Sequence, residues 1–320
     1  MAKIPFGDRE LKIGILGMTE GNGHPYSWSA MFNNYDREKM ADCPFPVIPQ
    51  YLGNQPDSTL GIPGAKITHI CCTGWKEREE AEKIAAADFI ENVVDDPTEM
   101  IGKVDAVIVA TDVGAEHVDR CRPFVEAGLP MFIDKPLIDN EEDLRTFIEW
   151  RKNGAQFITS SCFRYAKEYE AYHKNHYEIG DLMYICAPMA KKWETYGIHA
   201  LETMYPFLGK GFVSVQNTGT YEHAMVRITH ESGCVVDIPQ GIGLAASGLL
   251  LIGNKSTQYL KVNDSYYAFK KQLDTFVHWL RTGEEYFPFD ETVELMKMVV
   301  AGIRSREEGG RVVMLSEINA

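Results

Sequence analysis

The chain has 320 residues, 45% of them hydrophobic and 24% charged, a composition that fits a folded globular protein and excludes a fibre or a disordered chain. At this length one core would be at the limit of its growth, so two domains are expected. The formal charge of −14, with no run rich in lysine or arginine, excludes a phosphate-tracking surface, and no nucleic-acid partner is expected.

Residues 11–16 form a short apolar run ending at Gly17, read as a buried strand entering a tight turn. The turn reads Gly17-Met18-Thr19-Glu20-Gly21-Asn22-Gly23-His24, whose glycines do not keep the Gly-x-Gly-x-x-Gly spacing of a dinucleotide loop. Thr19 stands at the second glycine position, where a hydroxyl can donate to a phosphate. Gly21-Asn22-Gly23 can supply the close-approach turn of an enlarged loop, and a plain surface turn is the competing reading. A helix is expected over 27–35, and residues 36–65, broken by prolines and glycines, are expected to be irregular.

Periodic order then resumes. Strands at 66–72, 106–110, 130–133 and 156–160 alternate with helices at 77–87, 115–127 and 140–151, the last opened by Asn140 as cap and three acidic residues. This alternation predicts a doubly wound parallel sheet with helices on both faces. Beyond residue 180 the strands 213–216, 224–229, 234–238 and 259–262 follow one another without helices between each pair, which predicts a second, largely antiparallel sheet. Helices at 267–281 and 290–305 close the chain. The expected fold class is α/β, a Rossmann domain over residues 1–136, followed by an α+β domain over 137–320 with a large, mostly antiparallel open sheet.

The longest apolar run, 242–252, is interrupted by glycines, and the first ten residues carry no apolar core, so neither a membrane span nor a leader is expected. Seven cysteines are scattered without the paired spacing of a metal site or disulfide framework, which suggests reduced thiols, a cytoplasmic setting and no metal.

Three segments carry chemistry. After the second strand comes Thr73-Gly74-Trp75-Lys76-Glu77-Arg78, with no carboxylate at the strand tip for the ribose hydroxyls of NAD; Thr73 with Lys76 or Arg78 suits a 2′-phosphate and tilts the coenzyme toward NADP. Asp134-Lys135-Pro136 ends a strand at the carboxyl edge of the sheet, where open α/β folds bind ligands, and Pro136 favours extended backbone at the lysine. The segment 191–202 puts His199 and Glu202 one helical turn apart on one face.

Asp134-Lys135-Pro136, Gly197-Ile198-His199-Ala200-Leu201-Glu202 and Ala110-Thr111-Asp112 together resemble the Gfo/Idh/MocA family of NAD(P)-dependent oxidoreductases, whose hallmarks are a Glu/Asp-Lys-Pro and a later Gly-x-His-x-x-Asp/Glu motif. The resemblance extends to the closing helices and so covers nearly the whole chain. It implies hydride transfer between NAD or NADP and a CH–OH or C=O of a sugar, cyclitol or related polyol, in a homodimer or homotetramer formed through the C-terminal sheet. Lys135 would hydrogen-bond the substrate oxygen, and His199, titrating near neutral, is the natural proton acceptor.

Coenzyme contacts are expected from Gly17, Met18, Thr19, Gly21, Asn22, Gly23, His24, Thr73, Trp75, Thr111, Asp112, Asp134 and Lys135. Contacts to the polyhydroxylated substrate are expected from Lys135, Arg164, Tyr165, Trp193, Thr195, Tyr196, His199 and Glu202. Many family members carry an aspartate four residues before the histidine; here that residue is Thr195, and Glu194 would point elsewhere on a helix. That departure, with the altered loop, motivates two alternatives: a lyase-type or glycoside-cleaving member without net redox change, and a non-catalytic member that binds a ligand or partner.

Overall fold

The computed structural model describes residues 4–245 and 248–319; Met1, Ala2 and Lys3 of the N-terminal segment lie outside it. The chain forms two compact units: Met1–Asp134, Glu149–Thr159 and Phe269–Tyr286 make up the first, and Lys135–Ile148, Ser160–Ala268 and Phe287–Ala320 the second.

The first unit contains β1 (Leu11–Gly17), α1 (His24–Asn33), α2 (Arg37–Met40), α3 (Val47–Gly53), β2 (Ala65–Cys72), α4 (Glu77–Ala87), β3 (Asn92–Val93), β4 (Ala106–Val109), α5 (His117–Ala127) and β5 (Met131–Ile133). It also takes the end of α6 (Glu141–Lys152) and β6 (Phe157–Thr159). The six strands pair in parallel in the order β3-β2-β1-β4-β5-β6, the doubly wound sheet expected from the sequence. Its central strands are continuous apolar runs because both faces are covered: β4 and β5 are wholly buried, as are Ile13 and Ile15 of β1. Asn140 caps α6 as expected, its Oδ1 accepting from Asp143 N at 2.9 Å.

Two expectations change here. The first helix starts at His24 rather than 27, with Pro25 in its first turn, where the missing N–H has no intrahelical role. Residues 36–65 are not irregular throughout but include α2 and α3. Asp36 caps α2 through the Glu38 and Lys39 amides. In α3, Pro46 is the cap and Pro49 falls in the first turn, so neither proline removes a helical hydrogen bond.

The second unit contains α7 (Lys167–Lys174), β7 (Leu182–Cys186), β8 (Met189–Ala190), α8 (Ile198–Leu208), β9 (Phe212–Asn217), β10 (His223–His230), β11 (Val235–Gly241), β12 (Gly248–Gly253) and β13 (Thr257–Lys261). The start of α9 (Ser265–Thr282), α10 (Phe289–Glu307) and β14 (Val313–Met314) complete it. The strands follow the order β13-β12-β7-β11-β10-β9-β14, with β8 beside β11; β7 and β8 run parallel to β11 and the other pairs are antiparallel.

Register fixes the two faces of this sheet. Val226, Ile228, Val236, Ile238, Ile185, Leu251 and Leu260 point inward and are buried. One row of the opposite face runs Gln216, Arg227, Asp237, Cys186, Leu250, Tyr259. The next row runs Met314, Ser214, Thr229, Val235, Tyr184, Ile252, Thr257. Among the described residues no helix is long and apolar enough to cross a membrane. All seven cysteines are free thiols, six of them buried.

His173 on α7 meets the edge of Phe207 on α8 at 4.6 Å between ring centres. Burial, reinforced by the Arg164 charge, pulls its pKa down to about 4. The unfolded chain therefore binds a proton that the folded chain refuses between pH 6.5 and about 4, so stability falls as pH is lowered through that window. His173→Leu should remove this part of the slope. Between pH 6.5 and 4.5 its unfolding free energy, read from urea titrations, should fall by about 2 kcal/mol less than that of the wild type, a figure discounted for partial exposure.

Candidate functional site

In the first unit the site residues gather at the carboxyl ends of the parallel strands. β1 ends at Gly17, whose carbonyl accepts from Thr73 N at 2.7 Å, and the Met18 carbonyl accepts from Trp75 N at 3.3 Å, so the tail of β2 is stitched to the β1 loop. Met18 is buried. Gly17 and Gly23 are glycines for want of space: a Cβ on Gly17 would run into Pro25, and one on Gly23 into Ile48 and Phe45. Gly21 is a glycine for its backbone, at φ +84°, with open space around it.

Side chains tie this loop to the neighbouring strand ends. Thr19 Oγ1 donates to Asp112 Oδ1 at 2.7 Å, so its hydroxyl is engaged by a carboxylate, where a phosphate contact was expected. Asn22 Nδ2 donates to Asp134 Oδ2 at 3.1 Å, while Asn22 Oδ1 accepts from His24 N at 2.9 Å. His24 Nδ1 lies 2.5 Å from the same Asp134 oxygen, and its ring stacks on Trp28 at 4.4 Å. Asp134 is fully buried between these two partners.

At the tip of β2, Arg120 Nη1 donates to Thr73 Oγ1 at 2.6 Å, which places a guanidinium where the sequence pointed to Lys76 or Arg78. Arg78 is instead paired with Glu82 and Asp95. Lys76 lies over the Trp75 ring at 4.5 Å.

These residues fit a dinucleotide. Thr111 Oγ1 is buried at the end of β4 with no hydrogen-bond partner among the described residues, a polar atom suited to a ligand group. The loop runs into the N-terminus of a ten-residue helix whose first turn carries no acidic residue, a setting that favours an anion.

In the second unit, Lys135, Tyr196, His199, Ser161 and Glu202 come together from three separate segments. The Lys135–Pro136 peptide is cis, and Lys135 is 3% exposed. Its Nζ lies 4.7 Å from the centre of the Tyr196 ring. Lys191 approaches the same ring at 4.2 Å and donates to the Tyr196 hydroxyl at 2.7 Å. The His199 ring meets Tyr196 edge-on at 4.7 Å and Phe163 edge-on at 5.1 Å, so two aromatic rings fix its plane.

His199 Nδ1 lies 2.6 Å from Ser161 Oγ. Glu202, expected beside His199, is linked to it through this serine: Glu202 Oε1 accepts from Ser161 N at 3.3 Å, and Oε2 pairs with Arg164 Nε. Arg164 also donates to Glu291 at 2.8 Å and lies over the Phe287 ring at 3.8 Å. Burial opposes the Arg164 charge, but Glu202 and Glu291 outweigh it and hold its pKa above the ordinary value. Burial pushes the Glu202 carboxyl above the usual range, against the pull of Arg164.

Several expected substrate residues are placed otherwise. Trp193 is 1% exposed, donates to the Val299 carbonyl at 2.8 Å and packs on Gly197 and Gly302; it belongs to the core and offers no stacking face. Arg164 is enclosed by its two carboxylates, and Tyr165 is buried with its hydroxyl on Ser160. Thr195 and Tyr196 remain half-buried. Glu194 pairs with Arg306, so it does not stand in for the aspartate absent at Thr195. Sequence reasoning missed Ser161 and Arg120. Neither lies in a motif, and only the fold brings each to its partner.

Residues 48–159 match the model of an oxidoreductase family with an NAD-binding Rossmann fold. Among proteins of curated function, none matches the chain by sequence. Similar solved structures include myo-inositol 2-dehydrogenase from Lactobacillus plantarum (TM-score 0.74, 14% identity, 96% of this chain and 99% of that one). A myo-inositol dehydrogenase from Corynebacterium glutamicum aligns with TM-score 0.71 at 18% identity over 95% and 98% of the two chains. Scyllo-inositol dehydrogenase from Lactobacillus casei, solved with NAD(H) and scyllo-inositol, aligns with TM-score 0.72 at 14% identity over 97% and 100%. At these identities the likeness is one of fold.

Proposed function

We propose that the chain is a member of the Gfo/Idh/MocA oxidoreductase family, whose model matches residues 48–159, and that it moves a hydride between a nicotinamide dinucleotide and a CH–OH or C=O of a sugar, cyclitol or related polyol. One observation carries this reading: Lys135 and His199, 64 positions apart in sequence, both meet the Tyr196 ring at 4.7 Å. Two groups able to handle a proton are thus held against one aromatic ring. Hydride transfer at a carbinol carbon needs such a group, because the hydroxyl proton must move as well.

The coenzyme, when bound, accepts or supplies the hydride. On this reading the chain contributes the Gly21–His24 turn and the α1 terminus to the pyrophosphate, Thr111 to a polar group of the coenzyme, and Lys135 with His199 to the substrate oxygen. The polyol class is supported by the inositol dehydrogenases that share the fold, an argument from analogy. NADP is favoured over NAD by Arg120, which holds Thr73 while also paired with Glu116, and by the lack of an Asp or Glu among residues 73–76 that follow β2. A homodimer or homotetramer is supported by the open sheet face, where Tyr184, Met225, Tyr259 and Met314 are exposed. Seven free thiols support a cytoplasmic setting.

The test is quenching of tryptophan fluorescence on titration with NAD+, NADH, NADP+ and NADPH, since Trp28 stacks on His24 and Trp75 is bonded to Met18. Saturable binding at roughly micromolar levels, tighter for the NADP pair, is the expected result. No response to any of the four, in protein freed of copurified coenzyme, would overturn the oxidoreductase reading; tighter NAD binding would overturn the coenzyme choice alone.

A further inference from the structure

Ser161 is fully buried, and its hydrogen bonds can be counted among the described residues. Its N–H donates to Glu202, its carbonyl accepts from Arg164 N, and its Oγ accepts from Phe163 N at 3.1 Å. A hydroxyl has one proton and two lone pairs. With one lone pair given to Phe163, the proton has a single acceptor among the described residues, His199 Nδ1 at 2.6 Å. If the ring instead carried its hydrogen on Nδ1 and donated to Ser161, the hydroxyl proton would be buried without an acceptor. That penalty biases the two arrangements by roughly 5- to 150-fold.

We propose that Ser161 donates to His199 Nδ1 and so holds the neutral ring with its hydrogen on Nε2, making His199 a hydrogen-bond donor to the substrate oxygen and leaving the proton to Lys135. The sequence alone suggested the opposite role for His199. A carboxylate on Nδ1 would accept from the ring and free Nε2 as a base; a hydroxyl whose lone pair is already taken by Phe163 reverses that polarity.

The chemical consequence rests on the oxidoreductase reading, whereas the tautomer does not. In oxidation the carbinol C–H electron pair leaves with the hydride to the oxidised coenzyme. The substrate O–H bond breaks, its proton forms a bond to the neutral Lys135 amine, and a C=O bond results. The Nε2–H of His199 keeps its proton throughout and stabilises the charge that develops on oxygen. In reduction the Lys135 ammonium returns the proton. Ser161 is a positioning residue, held in turn by Glu202 and Arg164.

The test is long-range proton–nitrogen correlation NMR on protein labelled with ¹⁵N-histidine, with the His199 ring assigned by its loss in His199→Gln and, independently, by its displacement in Ser161→Thr. Above the titration of the ring, a protonated Nε2 and bare Nδ1 are expected in the wild type and in Ser161→Thr, which keeps the hydroxyl. In Ser161→Ala the bias should fall several-fold or more, toward a mixture. A protonated Nδ1 in the wild type overturns the proposal, as does a Ser161→Ala spectrum unchanged in tautomer. Coenzyme titration of the same samples separates the failures: absent binding with Nε2 protonated sinks the oxidoreductase reading and leaves the tautomer standing.

Discussion

On the proposed function, Lys135→Met is expected to lower kcat/KM for polyol oxidation about 10³-fold while changing coenzyme affinity far less. The side chain is 3% exposed and held over the Tyr196 ring, so its ammonium stem is positioned by packing rather than by the coenzyme. Methionine keeps the stem's length and removes the proton carrier. Lys135→Arg should fail to rescue, because a guanidinium retains the charge but does not release a proton at accessible pH. His199→Gln, which removes a donor to oxygen, should cost roughly 10²-fold, a smaller loss than that of Lys135→Met. Nicotinamide absorbance during turnover, with coenzyme binding measured separately, checks all three. A loss below about tenfold in Lys135→Met would show that the proton leaves by another route.

Arg164→Met is expected to destabilise the second unit by about 3 to 5 kcal/mol, read as a lowered urea midpoint. The guanidinium joins Glu202, which is 3% exposed, to Glu291, and its removal strands the first of these in the interior. Burial already holds the Glu202 carboxyl above its ordinary range with the arginine present. Without it the folded state binds a proton that the unfolded state gives up, so stability falls as pH rises from the ordinary glutamate range through the raised folded pKa. The deficit of Arg164→Met against wild type should accordingly be smaller near pH 5 than at pH 8. Glu291→Gln, at a carboxylate 22% exposed, should cost only about 1 kcal/mol. A deficit independent of pH would mean that lost packing on Phe287 and Tyr205, rather than the stranded carboxylate, dominates.

The doubly wound sheet was legible because its strands are short apolar runs separated by helical stretches, one of them, α6, opened by the Asn140 cap. Helix α3 was hidden by prolines that sit only where a helix tolerates them, and α2 by its length of a single turn. Residues 167–186 carry α7 and β7 without a clear period, since β7 shows the pattern buried, exposed, exposed, buried rather than strict alternation. At the site, Lys135 and His199 were readable from motifs. Trp193 was misread because an aromatic beside a motif looks the same in sequence whether it lines a cleft or fills a core. Ser161 carries no signal at all, since its role depends on a bond to a residue 38 positions away and on the direction in which one proton points.

The free thiols give the molecule a built-in reporter. Burial pushes Cys43 and Cys234 up to about 11 and Cys71 and Cys72 up to about 12, so these sulfurs stay protonated and enclosed under ordinary conditions. Cys186 alone is half-exposed, midway along the outer row between Asp237 and Leu250. A slow alkylating reagent on the unmodified protein therefore queries one address, at the middle of the open sheet. Its rate as the protein is diluted is a direct gauge of whether that face is covered by another copy.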